Sequence, residues 1–291
     1  MSWAAVVVLH DSEGELRALL ASIDRHLARP PRLVVVDSGS RDGGAALARE
    51  HGAEVIERPD NPGFGAATNA GLERVGEAVT VLLNPDIELL DARIETLVAR
   101  ARAGGLHAPR LLNPDGSVQR SAHPLPGTLG SIVPALLPSP LTPVRAEPHR
   151  AAHPRSVGWA IAACLAARTD VLRSLGPFDA AVHLFAEDLE LCMRARARGI
   201  RTILHPDLAL RHAGGHSTLR GGEPYALLAR RRREAIERTL GRRARRFDDV
   251  SQALTFATRT VGHAMLGGDA RRPLEQLRAL AKRAPKDRGP A

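Results

Sequence analysis

The chain alternates between short apolar runs and segments whose apolar residues recur at helical spacing. The apolar runs predict buried strands, because a strand covered on both faces carries few polar residues. The strands predicted in this way are Trp3–Leu9, Leu33–Val36, Ala53–Ile56, Val79–Leu83 and Leu106–Leu112. The helices predicted between them are Glu13–Leu27, Ala45–His51, Ala66–Val75 and Ala92–Ala103. Strands that alternate with helices indicate βαβ units, so the sequence predicts an α/β fold with a mostly parallel sheet flanked by helices.

Three of the predicted strands end in polar or glycine-rich loops, which are His10-Asp11, Asp37–Gly43 and Asn84-Pro85-Asp86. In an open α/β sheet, ligands bind at the carboxyl ends of the strands, so we expect these loops to line one ligand-binding edge. Pro85 ends its strand and leaves the Asp86 carboxylate at that edge, where it could hold a divalent cation on a diphosphate. No GxGxxG follows the first strand and no GxxxxGK[ST] occurs, so dinucleotide and P-loop sites lose their usual support.

The second half of the chain is less regular. Residues 121–156 are rich in proline and histidine without a clear period, and they are predicted to form a long irregular acceptor or lid loop. The apolar run Val157–Ala167 predicts a strand, and Ala186–Arg198 predicts a helix. Two short strands are predicted at Arg201–Leu204 and Leu208–Arg211. From Tyr225 onward the chain is arginine-rich and helical in character.

Charge is distributed unevenly along the chain. Residues 1–219 carry 23 basic and 24 acidic side chains, whereas residues 220–291 carry 18 and 8, so the whole formal charge of +9 lies in the tail. Such asymmetry favours an anionic partner, either nucleic acid or a membrane surface. No aromatic residues are interleaved with the arginine blocks, which argues against nucleic acid and favours a tail that docks on an anionic membrane. We therefore predict a catalytic domain at 1–219 and a basic helical extension at 220–291.

The two cysteines, Cys164 and Cys192, form no CxxC pair, which favours a reducing cytoplasm over a disulfide framework. The N-terminus lacks the basic segment of a signal peptide, and no apolar run approaches the roughly 18 residues of a membrane helix. The prediction is a cytoplasmic protein that can lie peripherally on the inner face of the cell membrane. Homo-oligomerisation is left open.

Seven motifs follow one another along the chain, and they are VVVDSGSRDG (34–43), NPGFGAATNAG (61–71), LLNPD (82–86), GWAIAACLAAR (158–168), LGPFD (175–179), FAEDLELCMR (185–194) and HPDLALRHAGGHST (205–218). Their order resembles glycosyltransferase family 2, whose members are inverting enzymes with the GT-A fold. Within the family, the chain is most similar to bacterial rhamnosyltransferases that act on polyprenyl-diphosphate N-acetylglucosamine. That similarity rests on NPDGS (113–117), the proline-rich stretch, GW (158–159), HST (216–218) and the basic tail. The QxxRW motif of processive synthases is absent, which implies one sugar per acceptor.

The resemblance implies a role for each motif residue. It assigns Asp37 to the base of a uridine or thymidine diphosphate, and Asp86 with His212 to a Mg²⁺ or Mn²⁺ ion. It assigns Asp188 as the general base that deprotonates the acceptor hydroxyl, and Glu187 as its support or as an acceptor-binding group. The other residues implied to shape or contact the nucleotide-sugar pocket are His10, Asn61, Gly63, Phe64, Asn69 and Asn84, and Trp159 is implied to stack on an acceptor sugar.

Each assignment has a structural alternative that the sequence leaves open. Asp37 suits an Asx turn, and the glycines near Asn61 suit a helix-entry turn. Trp159 suits a core position, and Glu187-Asp188 suits the solvated first turn of a helix. A lone His212 is often structural, and His216 adds only a weak HxxxH without a third zinc ligand.

The chain departs from the family pattern on the acceptor side. Ile161-Ala162 stands where the family usually has Ser-Gly or Gly-Gly, Ala186 where it has an aromatic residue, and Glu190 where it has Asp. The expected function is inverting transfer of a sugar, with dTDP-L-rhamnose as the favoured donor, to a hydroxyl of a lipid-linked acceptor in cell-envelope polysaccharide synthesis. The alternatives are another donor with a soluble acceptor, a nucleotidyltransferase, or a non-catalytic nucleic-acid-binding protein.

Overall fold

The computed structural model of the chain describes residues 2–137, 141–176, 178–179, 185–214, 225–265 and 267–281. The chain divides into two compact units, one made of residues 1–123 and 148–216 and the other of 124–147 and 217–291. Residues 124–147 thus cluster with the C-terminal helices, while a domain boundary at residue 219 stays a prediction.

The described strands are β1 Ala4–Leu9, β2 Arg32–Asp37, β3 Glu54–Glu57, β4 Val79–Leu83, β5 Ile87–Leu89, β6 Leu106–Leu112, β7 Ala122–His123, β8 Arg155–Val157, β9 Trp159–Ala160, β10 Cys164–Arg168 and β11 Thr202–His212. The helices are α1 Glu13–His26, α2 Gly44–Glu50, α3 Phe64–Arg74, α4 Ile94–Ala101, α5 Leu129–Leu136, α6 Thr169–Leu175, α7 Glu187–Ala197, α8 Tyr225–Met265 and α9 Arg271–Ala281. The α/β class and the flanking helices predicted from the sequence are confirmed.

The described part of the first unit is built on a sheet of order β3-β2-β1-β4-β10-β6-β11-β5, with β8 also paired to β11. Strand β1 runs parallel to β2 and β4, and β2 runs parallel to β3. Strand β10 is antiparallel to both β4 and β6, so β6 has the direction of β4, and β11 is parallel to β6. The carboxyl ends of β1, β2, β4, β6 and β11 therefore lie along one edge of the sheet.

Helices cover both faces of this sheet because its strands alternate between two cores. Val7 of β1 packs in the core that contains α1, whereas Val6 packs in the core that contains α3. Each fully buried aliphatic side chain of this kind contributes roughly 1.5–3 kcal/mol. Gly71 allows α3 to approach closely, since a Cβ there would lie 2.5 Å from Val6 Cγ1.

Several local predictions were wrong. Residues 121–156 are not wholly irregular, because they contain β7, α5, a 3₁₀ turn at Pro148–Arg150 and the start of β8. Helix α5 contains Pro134, which interrupts the pattern that would have revealed it. The run Val157–Ala167 is divided between β8, β9 and β10, and the three-residue strand β5 was not predicted.

The two strands predicted at 201–204 and 208–211 form the single strand β11, which is interrupted relative to its neighbour. His205 pairs with Pro109 of β6, and the next paired residue, Ala209, faces Arg110. Residues 206–208 therefore form an excursion with no partner in β6. The excursion is anchored through Asp207, whose carboxylate accepts two hydrogen bonds from the Arg100 guanidinium at 3.0 and 2.7 Å.

Helix α8 of the second unit reverses direction at Gly241, which has φ 86° and ψ 172°. Arg232 binds the buried Asp248 with two 2.8 Å hydrogen bonds, although sixteen residues of straight helix would span about 24 Å. Arg233 pairs likewise with Asp249. Part of the arginine-rich segment therefore holds a helical hairpin together. No helix in the part of the chain that the structure describes has the length and apolar character needed to cross a bilayer.

Candidate active site

The carboxylate of Asp86 and the imidazole of His212 meet at the carboxyl edge of the sheet. Strand β5 is antiparallel to β11 with Ile87 opposite His212, so the residue before β5 lies beside the end of β11. His212 Nε2 is 3.3 Å from Asp86 Oδ1, and the Gly214 N–H donates to Asp86 Oδ2 at 2.9 Å. Asp86 Oδ1 is buried and accepts no hydrogen bond in the structure.

The electrostatics of this pair favour an ionised carboxylate. Burial acts to raise the pKa of Asp86, but the neighbouring His212 ring and the Gly214 N–H outweigh it, so the pKa lies below its ordinary value. A buried anionic oxygen without a donor is costly unless a positive charge compensates it. Carboxylate oxygen and imidazole nitrogen are both ligands for divalent metals, so these two residues fit such an ion. The described residues contain no cluster of three or more potential metal-ligating side chains.

The outer nitrogen of the His212 ring contacts a residue that the sequence analysis missed. Gln119 Oε1 lies 2.8 Å from His212 Nδ1. The NPDGS motif at 113–117 was noted for its resemblance, but the residue that follows its turn was not assigned a role. His216, the second histidine of the predicted HxxxH, lies outside the described residues, as does the HST motif.

The loops that follow β1, β2 and β3 are tied together at the same edge. His10 Nδ1 lies 2.8 Å from the Ser38 carbonyl oxygen, and the Ser38 hydroxyl donates to Asn61 Oδ1 at 3.0 Å. Asp37 is buried, and its Oδ1 accepts the N–H of Ser40, three residues on, at 3.1 Å, so the side chain stabilises its own loop although this bond is not the i to i+2 bond of an Asx turn. The structure thus brings His10, Asp37 and Asn61 together, while nucleotide contact stays a prediction.

The residues that follow Asn61 shape the entry to α3. Gly63 has φ 87°, a left-handed conformation that favours glycine, and Phe64 begins the helix. The Asn69 amide both donates to the Phe178 carbonyl at 2.9 Å and accepts the Phe178 N–H at 3.0 Å. The Phe64 and Phe178 rings meet edge-to-face at 5.9 Å. These contacts give Phe64 and Asn69 a structural role, and their predicted ligand contacts remain untested.

Asn84 lies where β4 ends. Its N–H donates to the Ala163 carbonyl at 2.8 Å, and its own carbonyl accepts the Ile87 N–H at 3.3 Å. These bonds close the turn that delivers Asp86 to the site, so the backbone of Asn84 positions the carboxylate. Contact of its side chain with the nucleotide sugar stays a prediction.

A pair of acids opens α7. Phe185 and Ala186, which precede it, have φ 74° and 64°, a conformation that costs of order 1–3 kcal/mol per non-glycine residue. Glu187 Oε2 is buried without a hydrogen-bond partner, and burial, together with the charge of Asp188, raises the pKa of Glu187 well above its ordinary value. Asp188 Oδ1 accepts the Leu189 N–H at 2.7 Å. Two neighbouring acids in such different environments can divide acid and base roles between them.

Trp159 stands on β9 with one face against His123 of β7. Their ring centroids are 4.2 Å apart with the planes at 15°, and β7 pairs with β9 in a separate two-stranded sheet. Trp159 is half-buried, so it is neither a core tryptophan nor an open platform. Its predicted stacking on an acceptor sugar is untested.

Residues 4–123 match the family model described as Glycosyl transferase family 2. This part of the chain is thus similar to family 2 glycosyltransferases. The chain is 28% identical over 246 residues to the N-acetylglucosaminyl-diphospho-decaprenol L-rhamnosyltransferase of Mycobacterium tuberculosis (strain ATCC 25618 / H37Rv), covering 77% of this chain and 79% of the relative. It is 24% identical over 201 residues to the Low-salt glycan biosynthesis hexosyltransferase Agl10 of Haloferax volcanii, covering 67% of this chain and 62% of the relative.

Solved glycosyltransferase structures share the fold of this chain. GalNAc-T7 with UDP, GalNAc and Mn²⁺ matches with a TM-score of 0.62 at 16% identity, covering 96% of this chain and 55% of that one. The mannosyltransferase PcManGT from Pyrobaculum calidifontis, in complex with GDP-Man and Mn²⁺, matches with a TM-score of 0.59 at 15% identity, covering 96% and 80%. The GT-A fold expected from the sequence is confirmed.

Proposed function

We propose that this glycosyltransferase moves L-rhamnose, with inversion, from dTDP-L-rhamnose to a hydroxyl of N-acetylglucosamine carried on a polyprenyl diphosphate. The observation that carries the proposal is the buried Asp86 Oδ1, which lies beside His212 without a hydrogen-bond partner among the described residues, at the sheet edge along which the loops after β1 and β2 also lie. The similarity to the mycobacterial rhamnosyltransferase over most of both chains supports the choice of sugar and acceptor. The product would enter cell-envelope polysaccharide synthesis.

On the donor side, Asp86 and His212 would hold Mg²⁺ or Mn²⁺, which when bound offsets the negative charge of the leaving diphosphate. Asp37 lies at the end of β2 and would accept a hydrogen bond from the N–H of the base. His10 and Asn61 would line the same pocket, because the Ser38 hydrogen bonds hold all three loops at one edge. Each of these residues binds or orients the donor, so their loss should weaken donor binding.

On the acceptor side, Asp188 would take the proton of the acceptor hydroxyl as its oxygen attacks the anomeric carbon. The new carbon–oxygen bond forms opposite the bond to the diphosphate oxygen, which breaks and leaves its electron pair on the nucleoside diphosphate. Glu187, whose raised pKa favours the protonated acid, would donate a hydrogen bond to the acceptor. Trp159 would pack against the acceptor sugar.

The decisive experiment offers a panel of nucleotide sugars with a polyprenyl-diphosphate N-acetylglucosamine acceptor and identifies the products by mass spectrometry. We expect one added deoxyhexose and release of dTDP. Asp188→Asn should lower kcat by at least about 10²-fold, the lower range for a lost general base, with donor affinity unchanged. Glu187→Gln, which keeps a neutral hydrogen-bond donor, is the matched variant and should retain far more turnover.

Three results would count against the proposal. Pyrophosphate released from a nucleoside triphosphate would identify a nucleotidyltransferase instead. Turnover retained in Asp188→Asn but lost in Glu187→Gln would move the base to Glu187. A product formed only with soluble acceptors would exclude the polyprenyl substrate.

We propose in addition that the second unit docks on an anionic membrane. It exposes large apolar side chains, with exposed fractions of 76% for Leu129, 63% for Leu136 and 68% for Leu141. The same unit carries the exposed arginines 242 and 243, and apolar anchors with basic residues favour an anionic surface. The Leu129→Glu and Leu136→Glu double variant should co-sediment less with phosphatidylglycerol vesicles than the parent protein. Neutral phosphatidylcholine vesicles are the control, and equal binding of both proteins to both vesicles would contradict docking.

A further inference from the structure

A rigid hairpin places Gln119 beside the end of β11. The chain leaves β6 at Leu112 and turns through Asn113-Pro114-Asp115-Gly116, where proline suits the second turn position and Gly116 has φ 82°. The Gly116 N–H donates to the Asn113 carbonyl at 2.9 Å, and the Asn113 N–H donates to the Ser117 carbonyl at 2.8 Å. The Gln119 N–H then bonds the Leu111 carbonyl at 2.9 Å. Because β11 lies parallel to β6, this return brings Gln119 to His212.

The hairpin also carries a continuous chain of side-chain hydrogen bonds. The Ser117 hydroxyl lies 2.6 Å from Asp115 Oδ1, and Asn113 Nδ2 lies 2.9 Å from the same hydroxyl. Gln119 Nε2 lies 3.1 Å from Asn113 Oδ1, and Gln119 Oε1 lies 2.8 Å from His212 Nδ1. Four hydrogen bonds through three intermediate side chains thus connect the Asp115 carboxylate to the His212 imidazole.

The direction of every bond in this chain follows from its first member. The Ser117 hydrogen bonds keep the pKa of Asp115 below its ordinary value, so its carboxylate can only accept and the Ser117 hydroxyl must donate to it. Ser117 Oγ is then left to accept from the Asn113 amide nitrogen. The Asn113 oxygen accordingly accepts from Gln119 Nε2, and the Gln119 oxygen must accept from His212 Nδ1–H.

This order determines which nitrogen of a neutral His212 is free. With the hydrogen on Nδ1, the lone pair of the neutral ring is on Nε2, the nitrogen that lies 3.3 Å from Asp86 Oδ1. Two electron-rich atoms at that distance repel each other unless a positive centre lies beside both. In the other tautomer Nε2 would carry the hydrogen, and the lone pair would lie on Nδ1 and face the Gln119 oxygen instead of a metal beside Asp86.

We propose that Gln119 is a positioning residue that fixes the His212 ring and its Nδ1–H tautomer, and so completes a divalent-cation site with Asp86. The inference rests on the cation of the proposed function and adds a residue to it. A hydrogen-bond acceptor behind a metal-binding histidine typically changes metal affinity by about 10- to 100-fold. Substitution of Gln119 should therefore change the affinity for the metal and leave the choice of sugar unchanged.

The first test reads the tautomer without metal or substrate. Long-range ¹H–¹⁵N spectra of the ¹⁵N-histidine-labelled protein should show His212 protonated at Nδ1, with the signal assigned by its loss in His212→Gln. Gln119→Met keeps the side-chain length but removes the acceptor, so we expect Nε2–H to become populated. Gln252→Met makes the same change in the second unit and should leave the spectrum of His212 unaltered.

The second test measures Mn²⁺ affinity from the electron paramagnetic resonance signal of free Mn²⁺ in the presence of dTDP. Gln119→Met should weaken binding by about 10- to 100-fold. Gln119→Glu retains an oxygen acceptor for His212 but loses the hydrogen bond to Asn113 Oδ1, so it should restore part of the affinity that Gln119→Met loses. Circular dichroism melting of each variant separates loss of the metal site from unfolding.

The outcomes separate this inference from the proposed function. Wild-type protein that binds no Mn²⁺, or Gln119→Met with unchanged tautomer and affinity, overturns the inference even where rhamnosyl transfer is detected. Metal binding that depends on Gln119, without product from any nucleotide sugar, supports the inference and removes the proposed function.

Discussion

Strand β11 carries two histidines in hydrogen-bonded chains that end in different ways. His205 Nδ1 lies 2.8 Å from an Arg100 nitrogen, and its Nε2 lies 2.8 Å from His107 Nδ1. His107 Nε2 lies 2.9 Å from the Gly104 carbonyl, so a chain of neutral rings runs from donor to acceptor without a gap. The chain through His212 is equally ordered, but it ends with Nε2 opposite the unpartnered Asp86 Oδ1.

The way in which each chain ends distinguishes the structural pair His107 and His205 from His212, whose surroundings suit a ligand site. Buried polar groups that are all paired stabilise the fold, whereas an unpaired one requires an explanation. We call the chain from Arg100 through His205 and His107 to the Gly104 carbonyl the closed chain. Burial lowers the pKa of both His107 and His205, which keeps the two rings of this chain neutral. The open chain, which runs from Asp115 through Gln119 to His212, instead ends beside the ionised carboxylate of Asp86. A cation on a diphosphate would occupy the position beside these two side chains.

The largest effect should come from removing the Asp86 carboxylate, beside which the open chain ends. Asp86→Ala should lower kcat/KM by at least about 10²-fold, a size typical for loss of one group that stabilises transition-state charge. His205→Gln disturbs the closed chain on the same strand and should leave turnover per folded molecule at the wild-type level. Comparable losses of dTDP release in both variants would show that the two chains do not differ in their importance for turnover.

The second effect is a loss of stability in acid. The pKa of His205 falls from 6.5 to about 4 in the folded protein, because of burial and the neighbouring His107 and Arg100 charges. The folded state binds this proton less readily than the unfolded state, so the stability is complete above pH 6.5 and is lost as the pH falls toward 4. From pH 6.5 to 5 we expect the free energy of unfolding to decrease by up to about 2 kcal/mol.

Urea denaturation at each pH measures this slope. His205→Gln should begin less stable at pH 7.5 and should lack part of the decrease between pH 6.5 and 5. Identical slopes in the two proteins would show that the closed chain does not govern acid stability.

The smallest effect should follow from removing the donor of the closed chain. Arg100→Met deletes the hydrogen bond to His205 and the pairing with Asp207, at a cost of about 1 kcal/mol. Arg102→Met changes an exposed arginine of the same segment and serves as the control in thermal melting. Mn²⁺ affinity should stay unchanged in both variants, and a weakened affinity in Arg100→Met would couple the two chains.

The sequence was informative about elements whose signal is local. Val79–Leu83 and Leu106–Leu112 were predicted with the bounds that the structure has. Val79–Leu83 is mostly aliphatic because it is buried along its whole length. Strand β5 is too short to show a period, and Pro134 concealed α5. The division of 157–167 into several strands depends on partners far along the chain, which no local pattern records.

The candidate site could be predicted as far as its motifs extend. Asp86 follows a strand-ending proline, and His212 was found by resemblance, so both were named from sequence. Their proximity depends on the pairing of β5 with β11, which was not predicted. Gln119 was missed because its contact with His212 spans 93 residues and is created by the hairpin after β6. The NPDG turn was a usable signal, but only the sheet order reveals what it faces.

The excursion at residues 206–208 makes the length of β11 matter separately from its composition. His205 and His212 are seven residues apart, yet from His205 to Arg211 the paired span in β6 is only Pro109 to Leu112. Side chains alternate between the faces of a strand. A one-residue deletion within the excursion would therefore either place the His212 side chain on the opposite face of the sheet or move it away from its neighbours in β6. A substitution at Asp207, the exposed residue of this segment, would remove the pairing with Arg100 but would leave the number of residues, and hence the register of β11, unchanged. Insertions and deletions here, rather than point changes, are the variation that would abolish the site while leaving the rest of the sheet intact.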